Sequence, residues 1–347
     1  MRGTSEIWWS LERPGLVLPV RADPSGVLGP TRDQVRGAGW RRTSRGLWVP
    51  ASVERSVEQR IVEAAAVLPR ASGVTGWAGL RWLGGAWFDG FRPDGTCLPV
   101  DLAVGNSTIG SQPGFHVSEE QLRPHDLRSH DGLPLTTALR SVTFMMRHAG
   151  TLVDSVIALD MAAYDDLASI REVLDYQHTM PAWTGIPLCR KATTLADENS
   201  WSPRETWLRV AWVRDAELAA PLCNRPVFDR DGRLIGTPDL LDEEAGLVCE
   251  YDGALHLAGE QRRRDRDREA AFRRVGLEYL TVMSGDSRAH VAERIHEMRS
   301  RAAYAAPSAR AWTTDLPTWW VPTFTVEQRR GLTRSQRERW LRHRRAA

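Results

Sequence analysis

A chain of 347 residues, 42% hydrophobic and 26% charged, is long enough for two or three folded domains and too apolar for a disordered polymer. Its net charge of +2 does not by itself demand a polyanionic partner, although arginines crowd late in the sequence, and Lys191 is the only lysine, so part of that crowding is a composition bias. Four widely spaced cysteines, Cys97, Cys189, Cys223 and Cys249, form no CxxC pair, which argues against a zinc ribbon and a disulfide framework and fits a reducing compartment. The N-terminal MRGTSEIWWSLERPG lacks a long apolar run, and no stretch approaches the roughly eighteen apolar residues of a membrane span. The expectation is a soluble cytoplasmic protein with no membrane partner.

Residues 1–50 begin with two short extended runs, Glu6 to Leu11 and Gly15 to Arg21. Thr31 to Gly37 reads as a short helix capped by Thr31, followed by GWRRTSRGLWVP, which alternates like a hairpin with Arg41, Arg42 and Arg45 near its tip. Helix then basic hairpin is a winged-helix pattern. It resembles the N-terminal domain of abortive-infection type IV antitoxins, and the resemblance implies DNA binding by a regulator. The other reading is a small hairpin domain packed against its neighbour.

Residues 51–196 read as a mixed α+β region that loosely resembles the central part of the same antitoxin-like proteins. Helical periodicity appears at Val53 to Leu68, Thr75 to Leu83, Thr136 to His148, Leu152 to Tyr164 and Leu167 to Tyr176. Strands are expected near Leu98 to Val104 and Gly114 to Val117. The histidines here have no metal-ligand spacing.

Residues 197–304 carry the chemistry. Ser202, Pro203 and Glu205 combine an N-cap, a proline at the first helical position and a glutamate three residues after the cap, so a helix starts there and runs to about Ala219. Strands follow at Arg225 to Asp229, Leu234 to Leu241 and Leu247 to Asp252, then a helix over Ala258 to Val275 stopped by Gly276, and a strand over Leu277 to Met283. The stretch GTPDLLDEEAGLVCEYDGALH reads as a hairpin bearing Asp239 on one strand and Glu250 and Asp252 on the other. Two residues apart, Glu250 and Asp252 leave the same face, where their charges repel unless a cation sits between them. Carboxylate oxygens in that pattern suit magnesium or manganese.

Helix, three strands, helix and strand, with an acid on the first helix, PD on the second strand and ExD on the third, resembles the PD-(D/E)xK nuclease superfamily. Within it the pattern is similar to domains like the very-short-patch-repair endonucleases. The matching positions are Glu205, Asp239, Glu250, Asp252, Gly253, His256, Asp265, Arg268 and Gly276. The third strand ends in Asp252 where the superfamily usually has lysine, as it also does in that subfamily.

The resemblance implies a C-terminal restriction-endonuclease-like α-β-β-β-α-β core in a multidomain α/β protein. It implies metal ligation by Asp239, Glu250 and Asp252, His256 as general base or acid, and Arg268 and Asp265 as orienting residues. Glu205 equally satisfies a helix cap, Asp252 followed by Gly253 a strand-ending turn, and Asp265 with Arg268 a simple ion pair worth a few tenths of a kcal/mol. The arginines of the second helix read as a phosphate-binding stripe or a solvated face. Residues 305–347 read as a basic tail, loosely ordered or in contact with DNA through Trp340. The expected function is metal-dependent DNA endonuclease activity in repair or phage defence, with room for a homodimer. The alternative is a non-enzymatic DNA-binding regulator of the antitoxin type with a degenerate nuclease domain.

Overall fold

The computed structural model describes residues 7–105, 109–253, 259–342 and 344, and for 259–265 the backbone alone. The chain is a mixed α/β protein dividing into two compact units, one ending at His148 and the other beginning at Ala149. Among the described residues no helix is long and apolar enough to cross a membrane.

In the first unit, β1 (Trp40–Ser44) and β2 (Leu47–Pro50) form the expected antiparallel hairpin, with a register shift between Arg42 and Ser44. The helix expected before it is only a 3-10 turn, Gln34–Arg36, with no buried residue. Pro30, Gly37 and Gly39 crowd this stretch and it has no apolar stripe to pack, so nothing offsets the cost of nucleating a longer helix. Arg41 is drawn into a bidentate pair with Glu63 at 2.6 and 2.8 Å. Glu63 belongs to α1 (Val57–Ala65), which Ser56 caps by accepting from the Gln59 N–H.

A five-stranded sheet follows in the order β5-β4-β3-β7-β6, built from β3 (Gly73–Thr75), β4 (Val100–Ala103), β5 (Phe115–Ser118), β6 (Leu127–His130) and β7 (Leu133–Thr136). Beside it lie α2 (Gly76–Trp82) and α3 (Ala138–His148). Glu120 gathers Arg140 at 2.8 Å, Arg147 at 2.5 Å and His148 at 2.8 Å.

The second unit opens with α4 (Leu152–Tyr164), α5 (Ile170–His178), α6 (Ile186–Thr193) and α7 (Pro203–Arg214). Strands β8 (Leu222–Cys223), β9 (Val227–Asp229), β10 (Leu234–Gly236), β11 (Leu240–Asp242) and β12 (Leu247–Asp252) come next. Then α8 (Gly259–Arg274) leads to β13 (Glu278–Met283) and α9 (Arg288–Arg301). The main sheet has the order β13-β12-β11-β8, antiparallel except for the parallel pair β12/β13 that α8 connects.

Alternation along β12 divides the core between the two faces of this sheet. Leu247 and Cys249 join Leu208, Trp212, Val291 and Ile295 of α7 and α9 on one side. Val248 joins Leu241, Phe272 and Tyr279 on the other, where Phe272 is fully buried and contributes about 1.5–3 kcal/mol.

The expected first and second strands are redistributed. Arg225 to Asp229 contains β9 and Leu234 to Leu241 begins with β10, and these two pair in a separate sheet with β14 (Trp312–Thr313). The main sheet instead takes the two-residue β8 as its outer strand. The tail is also more ordered than a loose basic extension: α10 (Val326–Arg330) and α11 (Arg334–Trp340) are each capped by a threonine. Arg329 is fully buried, pairing with Asp166 at 2.7 Å and donating to the carbonyls of Ala163 and Thr323.

Candidate functional site

Ser202 caps α7 by accepting from the Glu205 N–H at 3.2 Å, as expected. The Glu205 carboxylate does not close the box on Ser202 but reaches one residue further back, accepting from the Trp201 N–H at 2.7 Å and from Asn224 Nδ2 at 2.6 Å. Asn224 sits at φ +44°, a conformation that asparagine tolerates better than most residues, and its own N–H donates to the Asp239 carbonyl at 3.0 Å. One buried asparagine thus ties the start of α7 to the start of β11.

Asp239 immediately precedes β11. The register pairs Leu240 with Cys249, so continuing it by one residue sets Asp239 opposite Glu250, and Asp239 Oδ2 accepts the Tyr251 N–H at 2.8 Å. By surface exposure Asp239 is half-buried, yet its surroundings are dense: burial is the main cause raising its carboxyl well above the ordinary range, followed by the charges of Glu205 and Glu250. Glu205 is raised as well, again chiefly by burial. Asp239 therefore feels the charge of acids on both α7 and β12.

Glu250 is 5% exposed and lies on the α8 side of the sheet. Arg268 of α8 donates to its Oε2 at 2.6 Å, and the Tyr279 hydroxyl of β13 donates to the same oxygen. Burial opposes the Arg268 charge, and the neighbouring Glu250 carboxylate more than reverses this, holding the guanidinium above its ordinary value. Burial and then the Glu250 charge push the Tyr279 hydroxyl up, so it remains a donor. Asp252 ends β12 on the same face as Glu250, paired with Met283, and its carbonyl accepts the Ser284 N–H at 3.2 Å. His256 lies outside the described residues, as does the side chain of Asp265.

Tyr279 and Asn224 were not singled out in the sequence. Tyr279 stands at an apolar position of its strand, and only the parallel register of β13 against β12 brings its hydroxyl to Glu250. Asn224 carries no motif; a lone asparagine ahead of a strand gives no signal of a bridging role.

Glu205, Asp239 and Glu250 offer only oxygen donors, the type that hard divalent cations take. Among the described residues, no three of His, Cys, Asp or Glu converge as a ready metal cage, and Glu250 Oε2 already serves Arg268 and Tyr279. The acids fit magnesium or manganese by type, with Asp239 and Glu250 facing each other as the pair that would hold it. No family model matches the chain, and neither a curated protein nor a solved structure is significantly similar to it.

Proposed function

We propose that the second unit is a divalent-metal-dependent endodeoxyribonuclease with a restriction-endonuclease-like core. The observation that carries the reading is Asp239, at the head of β11, lying within the electrostatic reach of both Glu205 of α7 and Glu250 of β12, with Arg268 of α8 bonded to Glu250 beside the sheet β13-β12-β11-β8. Magnesium or manganese held by Asp239 and Glu250, with Asp252 at the strand end, would lower the pKa of a bound water and neutralise charge on the phosphoryl oxygens. Attack of the water oxygen on phosphorus would break the bond to the 3′ oxygen, which takes a proton from solvent, to leave a 5′ phosphate and a 3′ hydroxyl.

This chain's own residues set the geometry. Tyr279 and Arg268 orient Glu250, Asn224 and the Trp201 N–H hold Glu205, and the Tyr251 N–H fixes one oxygen of Asp239. His256 accepts the proton of the attacking water in this reading, and Asp265 orients its neighbours on α8. Arg268 is poised to exchange Glu250 for a phosphate oxygen, since guanidinium serves both.

A second reading keeps the same fold as a non-enzymatic DNA-binding regulator of the antitoxin type. It is favoured by the occupation of Glu250 Oε2 by both Arg268 and Tyr279, which makes a closed structural knot. Incubating the purified protein with plasmid, single-stranded and mismatched DNA in magnesium or manganese separates the two. Cleavage lost in both Asp239→Ala and Glu250→Ala, with DNA binding kept, is the expected result. Unchanged cleavage by both variants would sink the site, and DNA bound but never cut would favour the regulator.

A further inference from the structure

Two adjacent tryptophans pack on one buried ring, and a third, from α11, packs on the pair. Phe228 of β9 is fully buried, and Trp320 and Trp319 pack edge-on against it with centroids 5.3 and 5.9 Å away. Trp340 of α11 completes the group, edge-on to Trp320 at 5.1 Å and stacked on Trp319 at 6.4 Å with 23° between the ring planes. The turn is held from behind by the Trp320 N–H donating to the Pro317 carbonyl at 2.9 Å.

A cluster serving only to hold the tail would bury all three rings. Instead Trp319 is 49% exposed, a flat apolar surface presented to water on a rigid base. Helix α11, which carries Trp340, is mainly basic. Arg339 lies over the Trp340 ring at 5.1 Å, and Arg334, Arg337 and Arg342 line a cavity of about 590 Å³ along α11 together with Glu338 and Leu341. Arg337 is committed to Asp166 at 2.6 Å, whereas Arg334, Arg339 and Arg342 are exposed and make no ion pair among the described residues.

We propose that this surface binds single-stranded DNA, one unpaired base stacking on Trp319 while Arg334, Arg339 and Arg342 take the flanking phosphates. The chemistry distinguishes this from duplex binding: an indole face needs a base whose own face is free, and a duplex hides those faces within its stack. The three arginines without carboxylate partners match a polyanion better than a protein surface of mixed charge. The proposal deepens the nuclease reading and rests on it for the substrate class, making the substrate a DNA with an unpaired stretch.

The test is fluorescence anisotropy of a labelled oligothymidylate and of a duplex of equal length. It uses the full chain in EDTA, so that binding is measured without cleavage. Wild type is expected to prefer the single strand; Trp319→Ala should weaken that binding by about tenfold or more, with Trp319→Phe retaining most of it. Arg339→Ala should reduce the salt dependence by about one counterion while leaving the fold's melting unchanged. Single-strand binding equal to wild type in a folded Trp319→Ala, or no preference for the single strand, overturns the proposal. So does the absence of any nucleic-acid binding, which would leave the surface to a protein partner. The nuclease reading fails separately: a platform that binds through Trp319 in a protein that never cuts supports this inference and removes that one.

Discussion

Asp239 and Glu120 show opposite uses of a carboxylate. Burial and two acidic neighbours raise Asp239, so any stability it contributes is present in full below its ordinary value of 3.8 and is lost as pH rises through the raised one. Ionising it in the folded chain therefore works against folding. Asp239→Asn is therefore expected to raise the melting temperature in EDTA while abolishing cleavage, the trade seen where function requires a strained site. A lower melting temperature would show that the carboxylate holds the fold together instead. For Glu120, burial pushes the carboxyl up, but His148, Arg140 and Arg147 more than reverse it and bring it down to about 2 from 4.5. Its stabilisation is complete above 4.5 and drains away as pH falls toward 2. Glu120→Gln should cost about 3–5 kcal/mol at neutral pH, because Arg140 and Arg147 are buried around it. Denaturant melts at a series of pH values should show the gap between variant and wild type closing in acid; a constant gap would refute the assignment.

At the scale of elements, the placement of α8 decides whether Arg268 reaches Glu250. Gly236 at the end of β10 makes this docking close, since a Cβ there would lie 2.7 Å from the Phe272 ring tip. Gly236→Ala is expected to cost about 1–3 kcal/mol by overpacking and to slow cleavage by displacing Arg268. Wild-type turnover and melting in that variant would mean the ring shifts freely. The elements nearest the site were the most legible in the sequence. The Ser202-Pro203 start of α7, the run of β12, the extent of α8 and its stop at Gly276, with φ +85°, are all local signals. What could not be read was long-range. The two-residue β8 has too few positions to alternate, and β9 pairs with β14 some eighty positions on, Phe228 with Thr313. The expected helix at Thr31 to Gly37 had a cap but no apolar face, and a cap alone does not hold a helix.

At the scale of the whole molecule, the two packed faces of the main sheet draw all their members from beyond Ala149. A fragment of residues 149–347 is thus expected to fold by itself with a cooperative melt and to keep the proposed metal-dependent cleavage; a fragment that aggregates, or is inert where the full chain cuts, would show that it does not stand alone. The buried pair of Arg329 and Asp166 adds a matter of timing. The two residues are 163 positions apart, and at ~5–20 residues per second of synthesis Asp166 is joined to the chain roughly 8 to 33 s before its arginine. During that interval the Ala163 carbonyl and the Asp166 carboxylate are without the group that later covers them. The contact between α10 and the end of α4 therefore cannot form while that stretch of chain is being made. The last helices then act as a latch, and the second unit reaches its final packing only after nearly all of its residues have been joined.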